Sequence, residues 1–407
     1  MRRNGSRDTG ETVVVGGGLA AQRFCETLRR LGHDGPIRMI CAEPVRPYDR
    51  PPLSKELLAG DLDSHALHLR SADWYADNEV ELVLGTSAEA LDVTQRTVTL
   101  EGGELVRFER LLIATGAQPR LLPGLGGFGN VHTLRTLEDT HALRSSIGAG
   151  ARIAIVGAGF IGLEVAATAR RLGAEVTLIE AARAPLAGVL GPMLGHWFAG
   201  LHRDEGVELE LGARIERVVG NGRVERIELE GRGPVECDAV LIGIGIHPTT
   251  AWLAGSGLDA ADGVRVDSLG RSAAAGVLAA GDAALTYEPR VGRHVRGEHW
   301  ESAVRQAQVA AHAALGLAPP RPRIASFWSD QFGSRIQYVG RHNPDDELVV
   351  DGDSAARDFT AVWERGGRPV AALLVGRPHA LAEWRRTLES SPQPESNQGD
   401  ESCATSQ

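Results

Sequence analysis

The strongest constraint on this chain is a short pattern that occurs twice: a β-branched run, a glycine-rich turn and a helix with one apolar face. In the first copy Val13-Val14-Val15 ends in Gly16-Gly17-Gly18-Leu19-Ala20-Ala21, and apolar spacing continues through Phe24, Leu28 and Leu31 to Gly32. Gly16 permits the tight turn, Gly18 lets backbone approach a pyrophosphate, and Ala21 stands where a third glycine usually allows close helix packing. The helix opening at Leu19 and Ala20 then turns free N–H groups and its positive dipole end toward phosphate. A second β-run, Ile37 to Cys41, leads to Glu43, about 20 residues past the loop, where a carboxylate accepts from ribose hydroxyls. The second copy is complete: Ile153 to Val156, then Gly157-Ala158-Gly159-Phe160-Ile161-Gly162, a helix carrying Glu164, and a β-run from Glu175 ending in Glu180. Two such units predict an α/β chain with two Rossmann-like dinucleotide-binding domains and a relay between their cofactors.

The second site is expected to take NADH. Glu180 would accept from a ribose 2′-hydroxyl, whereas a 2′-phosphate would face like charge at a cost of a few kcal/mol at about 4 Å. Arg183 works against this preference, because it can swing toward such a phosphate. A β-meander follows each unit, and the closing segments match: Ala114-Thr115-Gly116-Ala117-Gln118-Pro119 parallels Gly243-Ile244-Gly245-Ile246-His247-Pro248. Later, Gly276 to Asp282 reads as a small-residue strand through Gly281 to a lone acid. Glu298-His299-Trp300 precedes an alanine-rich helix stopped at Gly316. From Ile324 short strands set in, with a hairpin from Phe359 to Val375. The expected division is a first-cofactor domain from residues 1–117 and 247–323, a second-cofactor domain from 118–246, an α+β domain at 324–389 and a disordered tail at 390–407.

Lys55 is informative because it is the only lysine among 43 basic residues. Lysine is a compact point charge with three rotatable donors, and arginine's planar fork cannot replace it in a narrow pocket. It ends a proline-stiffened loop, Arg50-Pro51-Pro52-Leu53-Ser54-Lys55. The net charge of −10 argues against nucleic acid as the main partner, and no apolar run reaches the roughly 20 residues that span a bilayer. A cytoplasmic location is expected. Cys25, Cys41, Cys237 and Cys403 show neither disulfide nor metal spacing.

These motifs, over about residues 12 to 389, resemble the FAD-dependent, NADH-using ferredoxin reductases that feed bacterial haem-thiolate monooxygenases and Rieske-type dioxygenases. The resemblance rests on Arg50 to Lys55, Ala114-Thr115-Gly116, Leu134-Arg135-Thr136, Gly157 to Glu164, Ala280-Gly281-Asp282, Glu298-His299-Trp300 and Phe327-Trp328-Ser329-Asp330, in that order. Wider relatives include apoptosis-inducing factor, and the implied fold is glutathione-reductase-like with a smaller C-terminal domain. The resemblance implies that Glu43 binds the adenosine ribose of FAD, that Arg50 lies along FAD and that Ala88 touches adenine through its backbone. It further implies that Lys55 sits at the flavin N5 edge paired with Glu164, which also reaches the nicotinamide. Asp282 would hold ribityl hydroxyls, Trp300 would line the pyrimidine edge and Trp328 would flank the ring. Thr115, Gly116, Arg135, Gly243 and Gly281 are expected to line the cofactor sites as members of these motifs. The implied activity is electron transfer from NADH through FAD to an acidic iron–sulfur ferredoxin, with no membrane partner.

Three other activities share these motifs. A disulfide reductase needs a redox cysteine near the flavin, and none lies between Cys41 and Cys237. A reductase of a quinone-like small molecule would use the same cofactors. So would an interaction flavoprotein that senses NADH. An acidic ferredoxin calls for a locally basic docking face, for which Arg290, Arg293, Arg296, Arg305, Arg335 and Arg341 are the candidates.

Overall fold

The computed structural model describes residues 10–390. The expected tail lies outside the described residues from position 391 on, as does Cys403, while Ser390 itself closes a helix, Leu381–Ser390.

Each fingerprint strand is the centre of a five-stranded parallel sheet. In the first, Thr12–Val15 lies between Ile37–Cys41 and Arg110–Ile113, with Val80–Leu84 and Val277–Ala279 at the edges. Val14, Leu112 and Leu278 point to a core beneath two helices, Leu19–Arg30 and Trp300–Ala314. Val13, Val15, Leu111 and Ile113 point the other way, to Leu91, Val98, Leu100 and Val106 of an antiparallel meander. With both faces covered, runs such as Val13 to Val15 and Leu111 to Ile113 are apolar on successive positions, which is why these strands read as continuous runs and not as alternation.

The second sheet repeats the plan. Arg152–Val156 lies between Glu175–Glu180 and Ala239–Ile242, flanked by Glu208–Leu211 and Val131–His132, all parallel. Its own meander, Ile215–Gly220, Val224–Leu229 and Val235–Glu236, covers one face. The two matching closing segments meet each other: Ala117–Pro119 and Ile246–Pro248 pair antiparallel, so the chain crosses between the sheets on a two-stranded ribbon.

The last unit is a five-stranded antiparallel sheet in the order Ser326–Gln331, Ser334–Gly340, Arg368–Val375, Asp358–Arg365, Glu347–Asp353. Ile336, Phe359, Ala361 and Leu373 on one face share a core with Leu163 and Phe198 of the second cofactor domain. That packing brings Ser326–Gln331 against the second fingerprint helix, Phe160–Arg171.

Candidate functional site

Both fingerprint helices begin bare. Gly18 and Gly159 are the N-caps, neither gives a side-chain cap, and neither first turn carries an acid, so the positive helix ends are left for a ligand. Gly16 holds φ at +127°, and a Cβ there would fall 2.1 Å from the Ala114 carbonyl oxygen. A Cβ on Gly18 would meet nothing within 4 Å: the backbone there faces open space, as a pyrophosphate cradle requires.

That space belongs to one cavity of about 700 Å³ running from the first loop to the second. Of the residues singled out in the sequence, Gly16, Gly18, Leu19, Ala20, Glu43, Arg50, Lys55, Ala88, Thr115, Gly116, Arg135, Gly159, Ile161, Glu164, Gly243, Gly281, Asp282, Trp300 and Trp328 line it. Gly157 and Gly162 stand behind the wall. Cβ atoms there would fall 2.4 Å from the Gly243 carbonyl oxygen and 2.2 Å from the Gly157 carbonyl oxygen, so these glycines let backbones close on one another. Glu180 also lies outside the lining and braces the loop: its Oε2 accepts from the Ala158 N–H at 2.7 Å and its Oε1 from the Ala182 N–H at 2.7 Å. Arg183 is exposed and outside the lining.

At the first loop's end of the cavity, Glu43 accepts from Tyr48 Oη at 2.6 Å and from Arg50 Nη2 at 2.7 Å, which fixes the carboxylate while leaving lone pairs for hydroxyls. Burial pushes the Tyr48 phenol up, so it remains a donor. Arg135 pairs with Asp282 at 2.8 Å on the cavity wall. Trp300 donates from Nε1 to Asp49 at 2.7 Å and meets Trp328 edge-on at 6.0 Å. Burial raises the Asp49 carboxyl, and the Trp300 hydrogen bond opposes that rise.

Lys55 and Glu164 come together from different domains. Lys55 Nζ donates to Glu164 Oε2 at 3.2 Å, with side chains 12% and 5% exposed. Ser54 Oγ donates to the same Oε2 at 2.5 Å, and Ser329 Oγ donates to Oε1 at 2.7 Å. A buried carboxylate with three donors, one of them an ammonium, is a satisfied charge facing the cavity.

Sequence reasoning did not single out Phe160, His299 and Phe327 as site residues. Phe160 meets Phe327 edge-on at 5.0 Å, and His299 stacks on Phe327 at 4.3 Å, joining all three units along the cavity wall. Burial lowers His299, so its ring is a neutral wall. All three sit inside the quoted motifs, and their aromatic character was the available signal. Tyr48 and Asp49, which hold Glu43 and Trp300, stand just ahead of the Arg50 to Lys55 motif and were not singled out either.

The cavity suits FAD at the first loop and a nicotinamide dinucleotide at the second, with Lys55 and Glu164 between. A family model described as pyridine nucleotide-disulphide oxidoreductase matches residues 10–310, and one described as reductase C-terminal matches 326–404. The chain is 37% identical over 391 residues to the anthranilate 1,2-dioxygenase system ferredoxin–NAD(+) reductase component of Burkholderia cepacia, covering 95% of this chain and 96% of that protein. It is 33% identical over 373 residues to putidaredoxin reductase of Pseudomonas putida, covering 90% and 88%. Its structure is similar to that in the covalent putidaredoxin reductase–putidaredoxin complex, with a TM-score of 0.91, 32% identity and 93% of each chain covered.

Proposed function

The chain belongs to the pyridine nucleotide-disulphide oxidoreductase family, in its ferredoxin-reductase branch, and from that premise we propose that it passes electrons from NADH through FAD to a small acidic iron–sulfur ferredoxin serving a monooxygenase or dioxygenase. The observation that carries this reading is the single cavity joining both fingerprint loops, with the Lys55–Glu164 pair at its middle and Trp300 and Trp328 beside it. When bound, FAD supplies the chemistry, taking a hydride from NADH and releasing the electrons one at a time.

The protein's residues bind, orient and exclude water. The bare helix ends at Gly18 and Gly159 would take the pyrophosphates, Glu43 would hold the ribose at the first loop, Glu180 would order the second loop and offer its remaining lone pairs to the other ribose, and the aromatic wall would keep water from the reacting rings. Lys55 provides a positive charge, held by Glu164, where negative charge develops.

Dithiol chemistry, which the family description also covers, has no cysteine pair lining the cavity among the described residues. Cys41 is the one cysteine among the lining residues and packs against Gly17 at the phosphate loop: a Cβ there would come 2.8 Å from its Sγ. Burial pushes the Cys41 thiol up to about 12, so it is not a thiolate nucleophile.

No helix among the described residues is long and apolar enough to cross a membrane. A cytoplasmic location is part of this reading, and the free thiols Cys25, Cys41 and Cys237 suit a reducing compartment.

The test is NADH-driven cytochrome c reduction by the FAD-loaded protein, with and without a panel of two-iron and three- or four-iron ferredoxins. Strong dependence on one ferredoxin is expected. Fast flavin reduction with no dependence on any of them would favour a quinone-like acceptor, and slow flavin reduction an NADH-sensing interaction protein.

A further inference from the structure

The Lys55–Glu164 pair is the front of a longer buried chain. Behind Glu164, Ser329 Oγ donates to Oε1 at 2.7 Å, Gln331 Nε2 donates to Ser329 Oγ at 3.0 Å, and His202 Nε2 lies 3.0 Å from Gln331 Oε1. Ser329, Gln331 and His202 are all no more than 1% exposed. Glu164 and His202 come from the second cofactor domain, on helices Phe160–Arg171 and Pro192–Asp204, whereas Ser329 and Gln331 come from the C-terminal sheet.

The direction of the chain follows from the carboxylate. Glu164 only accepts, so Ser329 must turn its hydroxyl hydrogen toward it and use its oxygen to accept. Gln331 therefore presents its NH₂ to Ser329 and its carbonyl to His202, which must donate from Nε2. His202 agrees: burial lowers it to about 4, so the ring is neutral with one N–H, and Nδ1 has no partner among the described residues. Every donor in the chain thus points toward Glu164. In a dry interior such aligned bonds polarise one another and hold the terminal group in one orientation.

We propose that Ser329, Gln331 and His202 are positioning residues for hydride transfer: their one-directional donor chain fixes the Glu164 carboxylate, and through it sets how much of the Lys55 charge faces the flavin. The inference rests on Lys55 and Glu164 standing at the flavin edge. Two of the three bonds behind Glu164 cross between domains, so the C-terminal sheet takes part in the redox site through groups that do not themselves touch the reacting atoms. With a donor removed, Glu164 concentrates its negative charge on Lys55 and draws the ammonium back from the cavity. The flavin then becomes harder to reduce.

The experiment compares FAD-loaded wild type with Ser329→Ala, Gln331→Leu, His202→Leu and His202→Gln, and with Lys55→Ala as the reference for the site. Stopped-flow flavin reduction at saturating NADH, the NADH dissociation constant, the flavin midpoint potential, FAD retention and melting temperature are read for each. Ser329→Ala is expected to slow flavin reduction about tenfold, and Gln331→Leu and His202→Leu roughly three- to tenfold, the range for the net worth of one lost hydrogen bond. The midpoint potential should fall in each, with NADH and FAD affinities unchanged. His202→Gln restores a donor at the Nε2 position and should bring the rate back to within about twofold of wild type. A merely structural role would lower the melting temperature without moving the potential, and glutamine would not rescue the rate: that result overturns the proposal. Wild-type rates and potentials in all chain variants, with Lys55→Ala slow, would also overturn it while leaving the assigned site intact. Wild-type behaviour in Lys55→Ala as well would overturn the site assignment itself. Should Ser329→Ala fail to fold, the paired His202 variants decide the matter.

Discussion

Lys55 and Glu180 show how much one side chain settles in this protein. Lys55 is the sole lysine, and it reaches Glu164 from a helical turn, Pro51–Ser54, that three packed leucines, Leu53, Leu57 and Leu67, hold in place. Arginine at this position carries the same charge on a wider fork that shares its charge over three nitrogens, so Lys55→Arg should not rescue Lys55→Ala. Both variants are expected to reduce the flavin at least about tenfold more slowly than wild type under single-turnover conditions, with FAD still bound. Wild-type kinetics in Lys55→Arg would show that charge alone is needed. Glu180 acts differently, because its two oxygens already take the Ala158 and Ala182 N–H groups and so shape the second loop, and in the proposed site its charge would also repel a 2′-phosphate. Glu180→Gln keeps one acceptor and points an NH₂ at the other N–H. It should raise the KM for NADH and narrow the kcat/KM preference for NADH over NADPH by about tenfold, equivalent to ~1.4 kcal/mol. An unchanged ratio would mean that the exposed Arg183 or the loop backbone sets the preference.

The elements differ in how openly the sequence declares them. Both parallel sheets were legible because their central strands, covered on two faces, carry runs of consecutive apolar residues, and the glycine turns that follow them are dictated by backbone contacts such as Gly16 against Ala114. The third position of each fingerprint has a similar logic: a Cβ on Gly162 would sit 2.2 Å from the Gly157 carbonyl oxygen, whereas the first copy accommodates Ala21, fully buried. Gly162→Ala should therefore cost about 1–3 kcal/mol of stability by overpacking, seen as a lower denaturation midpoint, while Ala21→Gly should cost less. The edge strand Glu347–Asp353 was not legible, because it is exposed along nearly its whole length and carries no alternation for burial to impose. Neither was the chain behind Glu164. Ser329 stands in a recognised motif, but its partner Gln331 meets His202 across 129 residues of sequence, and polar residues that meet only in the folded state leave no periodic trace. His202 carries a pH consequence. In the unfolded chain it takes up a proton near pH 6.5, but folded only near about 4, so the unfolded state holds more protons between those values and stability falls as pH falls through that window. The loss is on the order of 3 kcal/mol at the acid end. Melting temperature should drop less between pH 7 and pH 4.5 in His202→Gln than in wild type. His132, His299 and His342 are also lowered by burial, so the difference between the two proteins is the measurement; equal slopes would refute the assignment.

For the molecule as a whole, the net charge of −10 sets a problem, since an acidic protein must meet an acidic partner. Steering then depends on a local basic field stronger than the global repulsion. The six arginines expected at the docking face are not equivalent in the structure. Arg296 is paired with Glu298 at 2.8 Å, Arg335 with Asp330 at 2.7 Å, and Arg305 donates to the Arg323 carbonyl. Their charge is largely spent within the protein. Arg290, Arg293 and Arg341 are exposed and make no ion pair among the described residues, so they are the ones with charge free for a partner. Reversing them singly to glutamate is expected to raise the KM for ferredoxin about tenfold at low salt, with the difference shrinking toward 0.5 M salt as screening shortens the reach of charge. Ferricyanide reduction, which needs no docked protein, should keep its rate. If ferredoxin KM moved equally for a distant exposed arginine such as Arg217, total charge and not a face would be at work. If none of the three moved it, docking would not rest on these arginines.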